Sequence, residues 1–163
     1  MICMHRKIQS EQKRKGAAVV EFAVLAPIFL LLALGTIEAG QALEASNVLS
    51  AAIREGGRLA AMDWGPVVND GQTPNQKVIQ DIRNFIKAAG MPADSVTITL
   101  THADGVGAGQ PFDLSDPDNR LALFKITATL DYEAVSTFPV KFMEGKTLKQ
   151  SLVMRAGKLT LVQ

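Results

Sequence analysis

Apolar and polar positions alternate with three different rhythms along this chain. From Phe22 to Ile37 there are sixteen residues without a charge, flanked upstream by a strongly basic stretch. Beyond them, Val48, Leu49, Ala52, Ile53, Gly56, Leu59 and Ala60 recur at helical spacing, and Arg54, Glu55 and Arg58 fall largely on the other side. A turn-rich segment follows, with Gly65-Pro66 and Asn69-Asp70-Gly71. Thr73 then reads as an N-cap with Pro74 in the first helical position, and Gly90 as the stop. Val78, Ile79, Ile82, Phe85, Ile86 and Ala89 form the expected buried stripe of that second helix.

After Gly90 the period changes to two. Ser95–Thr101 alternates Val96, Ile98 and Leu100 with threonines, which predicts a half-buried strand. His102–Asn119 reads as an irregular 18-residue loop. Arg120–Ser136 predicts a second strand carrying Phe124, Ile126, Ala128, Leu130 and Tyr132 on one face, ended by Phe138-Pro139-Val140. Lys146–Lys158 predicts a third, with Leu148, Leu152, Met154 and Ala156 opposite Lys149, Ser151, Val153 and Arg155. Consecutive strands joined by loops imply an antiparallel sheet of about three strands, one face under the helices and the other wet. The fold class is therefore α+β: a long N-terminal helix, a second helix and a small sheet.

Charge gives the long helix its context. Residues 1–16 carry Arg6, Lys7, Lys13, Arg14 and Lys15 against Glu11, a net of +4 in a chain of +1, so the remaining residues carry −3. Ala17–Ile37, 21 residues, spans about 31 Å as a helix, which matches a hydrocarbon core of about 30 Å. Five cations before the span and none in the dozen residues after it predict a cytoplasmic N-terminus. The organisation read from this is a basic leader (1–16), a transmembrane helix (17–37), a helix extension (38–62) and an extracytoplasmic α+β head (63–163). The basic residues precede a membrane segment, so they do not form a nucleic-acid-binding surface. Cys3 is the only cysteine, which excludes an internal disulfide and a cysteine metal cluster.

Two residues are unusual for a plain anchor. Glu21 lies five residues into the apolar stretch, where a carboxylate costs up to about 2.5–3.5 kcal/mol near the bilayer centre and less toward an end. Pro27 removes a backbone donor and predicts a bend or local loosening. A simple reading makes Glu21 an interface marker; another gives it a cationic partner inside an assembly. Gly35, Gly40, Gly56 and Gly57 lower helix propensity, and packing in a bundle explains them better than chance.

Lys13-Arg14-Lys15-Gly16 followed by Ala17-Ala18-Val19-Val20-Glu21-Phe22 resembles the processing site of type IV pilin-like precursors. Glu38-Ala39-Gly40-Gln41-Ala42-Leu43 and Ala51-Ala52-Ile53-Arg54-Glu55-Gly56-Gly57-Arg58 narrow the resemblance to TadE-like pseudopilins of the tight-adherence (Flp) pilus system. Against the family's "AAREGAR" stretch, this chain has an inserted Ile53 and Gly57 in place of Ala. The resemblance covers about residues 14–62. It implies cleavage by a prepilin peptidase between Gly16 and Ala17 and an Ala17 amine that meets Glu21. Arg54, Glu55, Gly56 and Arg58 are helix-packing candidates read from the helix face itself; a solvated face is the plainer reading of each charged residue, and a subunit contact the functional one. The implied partners are the prepilin peptidase, other pseudopilins and pilins, an inner-membrane pilus platform and the lipid bilayer. The implied role is a minor pseudopilin in an initiating or tip complex.

No catalytic signature competes with that reading. His5 and His102 are the only histidines, and no nucleophile elbow, zinc-protease helix or phosphate loop occurs. Gly105-Val-Gly-Ala-Gly follows no βα turn and reads as flexibility. Asp113, Asp116 and Asp118, near Asp104, are weak calcium candidates. They lack the EF-hand frame and read better as a solvated acidic turn. The expectation is a non-enzymatic protein without a cofactor. Two alternatives stay open: an uncleaved single-pass protein with an extracytoplasmic binding domain, and a secreted enzyme released after Ala33-Leu34-Gly35.

Overall fold

The computed structural model describes residues 3–62, 71–136 and 143–157, with side chains from Gly16 onward in the first of these segments. The turn signals at 65–70, the strand end at 138–140 and Lys158 lie outside the described residues. Three antiparallel strands, two α-helices and short 3-10 turns make an α+β fold. The chain divides into two units, Met1–Ala39 and Gly40–Gln163.

The first unit is the lower part of α1, Cys3–Ala60. The helix runs through Pro27 without interruption. Thr36 Oγ1 donates to the Leu32 carbonyl one turn back, at 2.8 Å. Apolar side chains point outward on every side: Val19, Phe22, Leu25, Phe29 and Leu32 are all at least half exposed. A helix that is apolar all round suits lipid or the interior of a bundle, not water. Among the described residues this one helix is long and apolar enough to cross a membrane, with a mean hydropathy of 2.5 over its best 18 residues. That is consistent with a single-pass membrane protein.

The second unit holds the core. α1 contributes Ala42, Ala45, Leu49, Ala52, Ile53 and Ala60 to it; Leu49, Ala52, Ile53, Gly56 and Ala60 of the expected stripe are buried, Val48 and Leu59 are half-buried, and Ala42 and Ala45 carry the buried face further down the helix than the spacing indicated. α2, Pro74–Ala88, starts as predicted: the Thr73 side chain accepts from the Gln76 amide and Gln76 reaches back to the Thr73 amide, a capping box. Its buried residues are Val78, Ile82 and Ile86. Ile79 is half-buried, but Phe85 and Ala89 are exposed, because they lie at the margin and end of the stripe.

The sheet order is β1-β2-β3, with both pairs antiparallel. β1 is Thr97–His102, β2 Leu123–Asp131 and β3 Thr147–Arg155. All three are shorter than the alternation implied. Ala93–Ser95 forms a 3-10 turn, so β1 starts after Ser95. Tyr132–Ala134 forms another, so β2 stops at Asp131. Tyr132 is nevertheless buried, since the turn keeps it over the core. The open face displays Thr97, Thr99, Lys149, Ser151 and Val153; Thr127, at its centre, is shielded by its neighbours.

The loop after β1 is more ordered than its composition suggests. The Phe112 amide donates to the Leu100 carbonyl and the Gly109 amide to the His102 carbonyl, so the loop lies along the β1 edge. Gly105 and Gly109 adopt φ of +72° and +85°, turn conformations that strain any side chain, so they fix a turn here and do not serve flexibility. Phe112 and Leu114 enter the core. The Asn75 amide holds them there, donating to the Phe112 carbonyl at 2.6 Å while its oxygen accepts from the Leu114 amide at 2.8 Å.

Candidate functional site

The N-terminal candidates sit on an uninterrupted helix. Gly16, Ala17 and Glu21 are all exposed. Four residues of helix separate Ala17 from Glu21, a rise of about 6 Å on nearly the same face. A charge on the Ala17 nitrogen would therefore fall within a side chain's reach of the Glu21 carboxylate. Gly35 and Gly40 have open space where a Cβ would stand.

The Arg-Glu-Gly stretch separates into two surfaces. Gly56 and Gly57 are buried, and their close approach is to this chain's own head. A Cβ on Gly56 would collide with Ile82, and one on Gly57 would meet the Met154 sulfur and Leu152. Glu55 and Arg58 face outward and pair with each other, Arg58 donating from Nη2 to Oε1 at 2.6 Å and from Nε to Oε2 at 3.1 Å. Hydrogen bonding to Arg58 holds the Glu55 carboxyl below its usual range, and the same bond raises the Arg58 guanidinium. Arg54 is exposed and makes no ion pair among the described residues.

Two aspartates of the β1–β2 loop, Asp113 and Asp116, accept hydrogen bonds from within the loop itself. Asp113 Oδ1 accepts from the Ser115 hydroxyl at 2.6 Å and from its amide at 2.8 Å. These bonds, the hydroxyl first, hold the Asp113 carboxyl below its ordinary value. Asp116 Oδ1 accepts from the Asp118 amide at 3.0 Å. Among the described residues no three His, Cys, Asp or Glu side chains converge in a way that would hold a metal ion. His102 lies against the Phe112 ring edge-on, with centroids 4.7 Å apart.

Sequence reasoning missed two features of the head. Leu121 is a non-glycine residue at φ +60°, and it is exposed. A cleft of about 320 Å³ opens between the α1 extension, the end of α2 and the turn after β2, with Glu44 at its edge. The cleft has no local signal because it is built from segments far apart in the chain, and a leucine gives no hint of a positive φ, which glycine and asparagine adopt more readily.

Residues 16–58 match the family model described as TadE-like protein. The match begins at the Gly16 boundary and ends at Arg58, within the stretch that carries the resemblance in the sequence. No curated protein and no solved structure gives a match.

Proposed function

We propose that this chain is a minor pseudopilin that takes part in assembling a tight-adherence (Flp/Tad) pilus, in its initiating or tip complex. The observation that carries this reading is the TadE-like match over residues 16–58, which falls on one helix. That helix is bare and apolar in its lower part and builds the core of a folded head in its upper part.

In this reading the precursor inserts with its basic leader in the cytoplasm and its head outside. A prepilin peptidase cuts between Gly16 and Ala17. The freed Ala17 amine and the Glu21 carboxylate then neutralise each other, within one chain or between neighbours, which offsets a desolvation cost neither charge could bear alone in lipid. The paired helix packs with those of other pseudopilins and pilins on an inner-membrane platform. Gly35 and Gly40 leave its surface open to close approach. Arg54 and the Glu55–Arg58 pair present an outward polar face for neighbouring subunits.

The mature N-terminus tests this. Protein recovered from its native host should begin at Ala17, and Gly16→Leu should leave a precursor of full length. Normally shortened protein from that variant, or wild-type protein retaining residues 1–16, would favour an uncleaved single-pass protein with an external binding domain.

A further inference from the structure

The two edges of the sheet are finished differently. On β1 the chain's own loop pairs with the outer edge. The Phe112 amide donates to the Leu100 carbonyl, the His102 amide to the Gln110 carbonyl, and the Gly109 amide to the His102 carbonyl. Ile98 and Leu100, the core-facing residues beside this capped edge, are buried.

β3 has no such cap among the described residues. The Tyr132 amide donates to the Lys146 carbonyl and the Ala156 amide to the Ala122 carbonyl, at the two ends of the β2–β3 ladder. Hydrogen-bonded pairs alternate along an antiparallel ladder. The even-numbered residues of β3 therefore bond to β2, and Thr147, Lys149, Ser151, Val153 and Arg155 turn their N–H and C=O groups outward. Among the described residues no backbone group outside the ladder meets them. The core-facing side chains show the same gap. On β2, Phe124, Ile126, Ala128 and Leu130 are wholly buried, whereas Leu148, Leu152 and Met154 of β3 are half-buried. The sheet is one strand short on this side.

Charge indicates what kind of strand fits. β3 carries Lys149 and Arg155 and no acid; both cations are exposed, and neither makes an ion pair among the described residues. The Leu121 carbonyl accepts from Arg155 Nη1 at 3.2 Å, which uses one donor of the guanidinium and leaves the others. The two cations share the wet face, about 20 Å apart along the strand, so a segment as long as β3 meets both. The same charges repel a second copy of this edge. We infer that β3 accepts, as a fourth strand, an extended segment of a different protein in which acidic residues alternate with apolar ones. Its backbone pairs with the outward N–H and C=O groups of β3. Its apolar side chains extend the cover over Leu148, Leu152 and Met154, and its carboxylates meet Lys149 and Arg155 on the wet face. The contact uses the head alone and stands or falls separately from the pseudopilin reading.

The test uses the full-length chain in lipid nanodiscs and amide hydrogen exchange resolved residue by residue. In the free chain the amides of Lys149, Ser151 and Val153 should exchange faster than those of Gln150 and Leu152. A capped peptide as long as β3, alternating valine with glutamate, should slow those three amides at least about tenfold and leave Gln150 and Leu152 unchanged. The same peptide with lysine in place of glutamate should not. Lys149→Glu should weaken protection by the glutamate peptide. Ser151→Pro removes one outward donor without touching the β2 ladder, at a site where an edge strand tolerates proline. It should abolish protection of Lys149 and Val153 by the peptide while the thermal melt of the head is kept. Slow exchange of the three amides in the free chain at every concentration would mean that the chain already pairs this edge. Protection that grows with protein concentration alone would mean a second copy. Either result overturns the proposal, as does protection by neither peptide or by both alike.

Discussion

Gln150 in β3 donates a hydrogen bond from Nε2 to the Ser46 hydroxyl in α1 at 2.6 Å, across 104 residues of chain. Both ends are part-buried, and the bond lies over the same helix face that buries Ala45, Leu49 and Ile53. The upper part of α1 is thus a wall of the head and not merely a stalk below it.

A polypeptide starting at Glu38 should therefore be soluble and fold, because it keeps every buried α1 residue of the second unit. One starting at Asp63 loses Leu49 and Ile53, each worth about 1.5–3 kcal/mol of burial, together with four alanines of the same stripe. That loss is comparable with the whole stability of a small domain, about 5–15 kcal/mol. The shorter chain should aggregate or show no cooperative melt. Equal melting temperatures for the two would mean that α1 does not support the sheet.

The two adjacent glycines should respond differently to alanine. At either position alanine gains about 1 kcal/mol of helix propensity. At Gly56 the new methyl collides with Ile82, which is fully buried and has no room to move. Overpacking of this kind costs about 1–3 kcal/mol, so Gly56→Ala should destabilise the head. At Gly57 the nearest atom is the Met154 sulfur on a flexible, half-buried side chain. Gly57→Ala should lie near neutral. Chemical denaturation of the soluble head checks the order, and Gly57→Ala as the worse of the two would contradict the packing described.

These glycines also show where sequence reasoning stops. Their presence in a helix signalled close packing, but not that the neighbours are Ile82 and Met154 of the same chain. Both helices and all three strands were legible because their signals are local: a 3.6 period, a Thr73-Pro74 helix start, alternation in Phe124–Leu130. The strand end at Tyr132 was not, since a 3-10 turn keeps the residue over the core and preserves the apparent alternation. Phe112 and Leu114 were hidden for a different reason. Their place in the core depends on Asn75, 37 and 39 residues away. The candidate processing site at Gly16–Glu21 needed no tertiary information, whereas the Glu44 cleft needed three separate segments brought together.

Asn75 supplies a direct check on that loop. Asn75→Ala leaves the Phe112 carbonyl and Leu114 amide without their partner, at about 1–3 kcal/mol for part-buried groups. Asn75→Asp keeps the acceptor for the Leu114 amide but sets a carboxylate oxygen against the Phe112 carbonyl, so it should not rescue the loop. Amide exchange at Leu114 should accelerate in Asn75→Ala more than exchange in β2. Unchanged protection would show that the loop is held by Phe112 packing alone.

The acid limb of stability should depend on Ser115. Its hydroxyl and amide hold the folded-state Asp113 carboxyl below the ordinary value. A carboxyl depressed on folding contributes stability that is present above its unfolded pKa, about 3.9, and lost as pH falls through the lower folded value. Ser115→Ala removes the larger of the two bonds, so the Asp113 pKa should rise toward the ordinary value and that contribution should shrink. Carboxyl NMR titration of Asp113 in the two proteins decides it. An unmoved midpoint would assign the depression to the backbone amide.

Glu21→Ala separates membrane insertion from assembly. The substitution removes a charge from the apolar run, so the helix becomes more favourable to insert and membrane fractionation should be unchanged. What disappears is the carboxylate one helical turn from Ala17, the group proposed to neutralise the amine left by processing. Uncompensated, that amine sits near lipid, and the helix should pack less readily with its neighbours. Pilus number per cell should fall sharply while the amount of inserted, processed protein stays at the wild-type level. Glu21→Gln should behave like alanine, because it keeps the shape and loses the charge, and Glu21→Asp should retain part of the activity. Normal piliation in both Glu21→Ala and Glu21→Gln would reduce Glu21 to a marker of where the span begins.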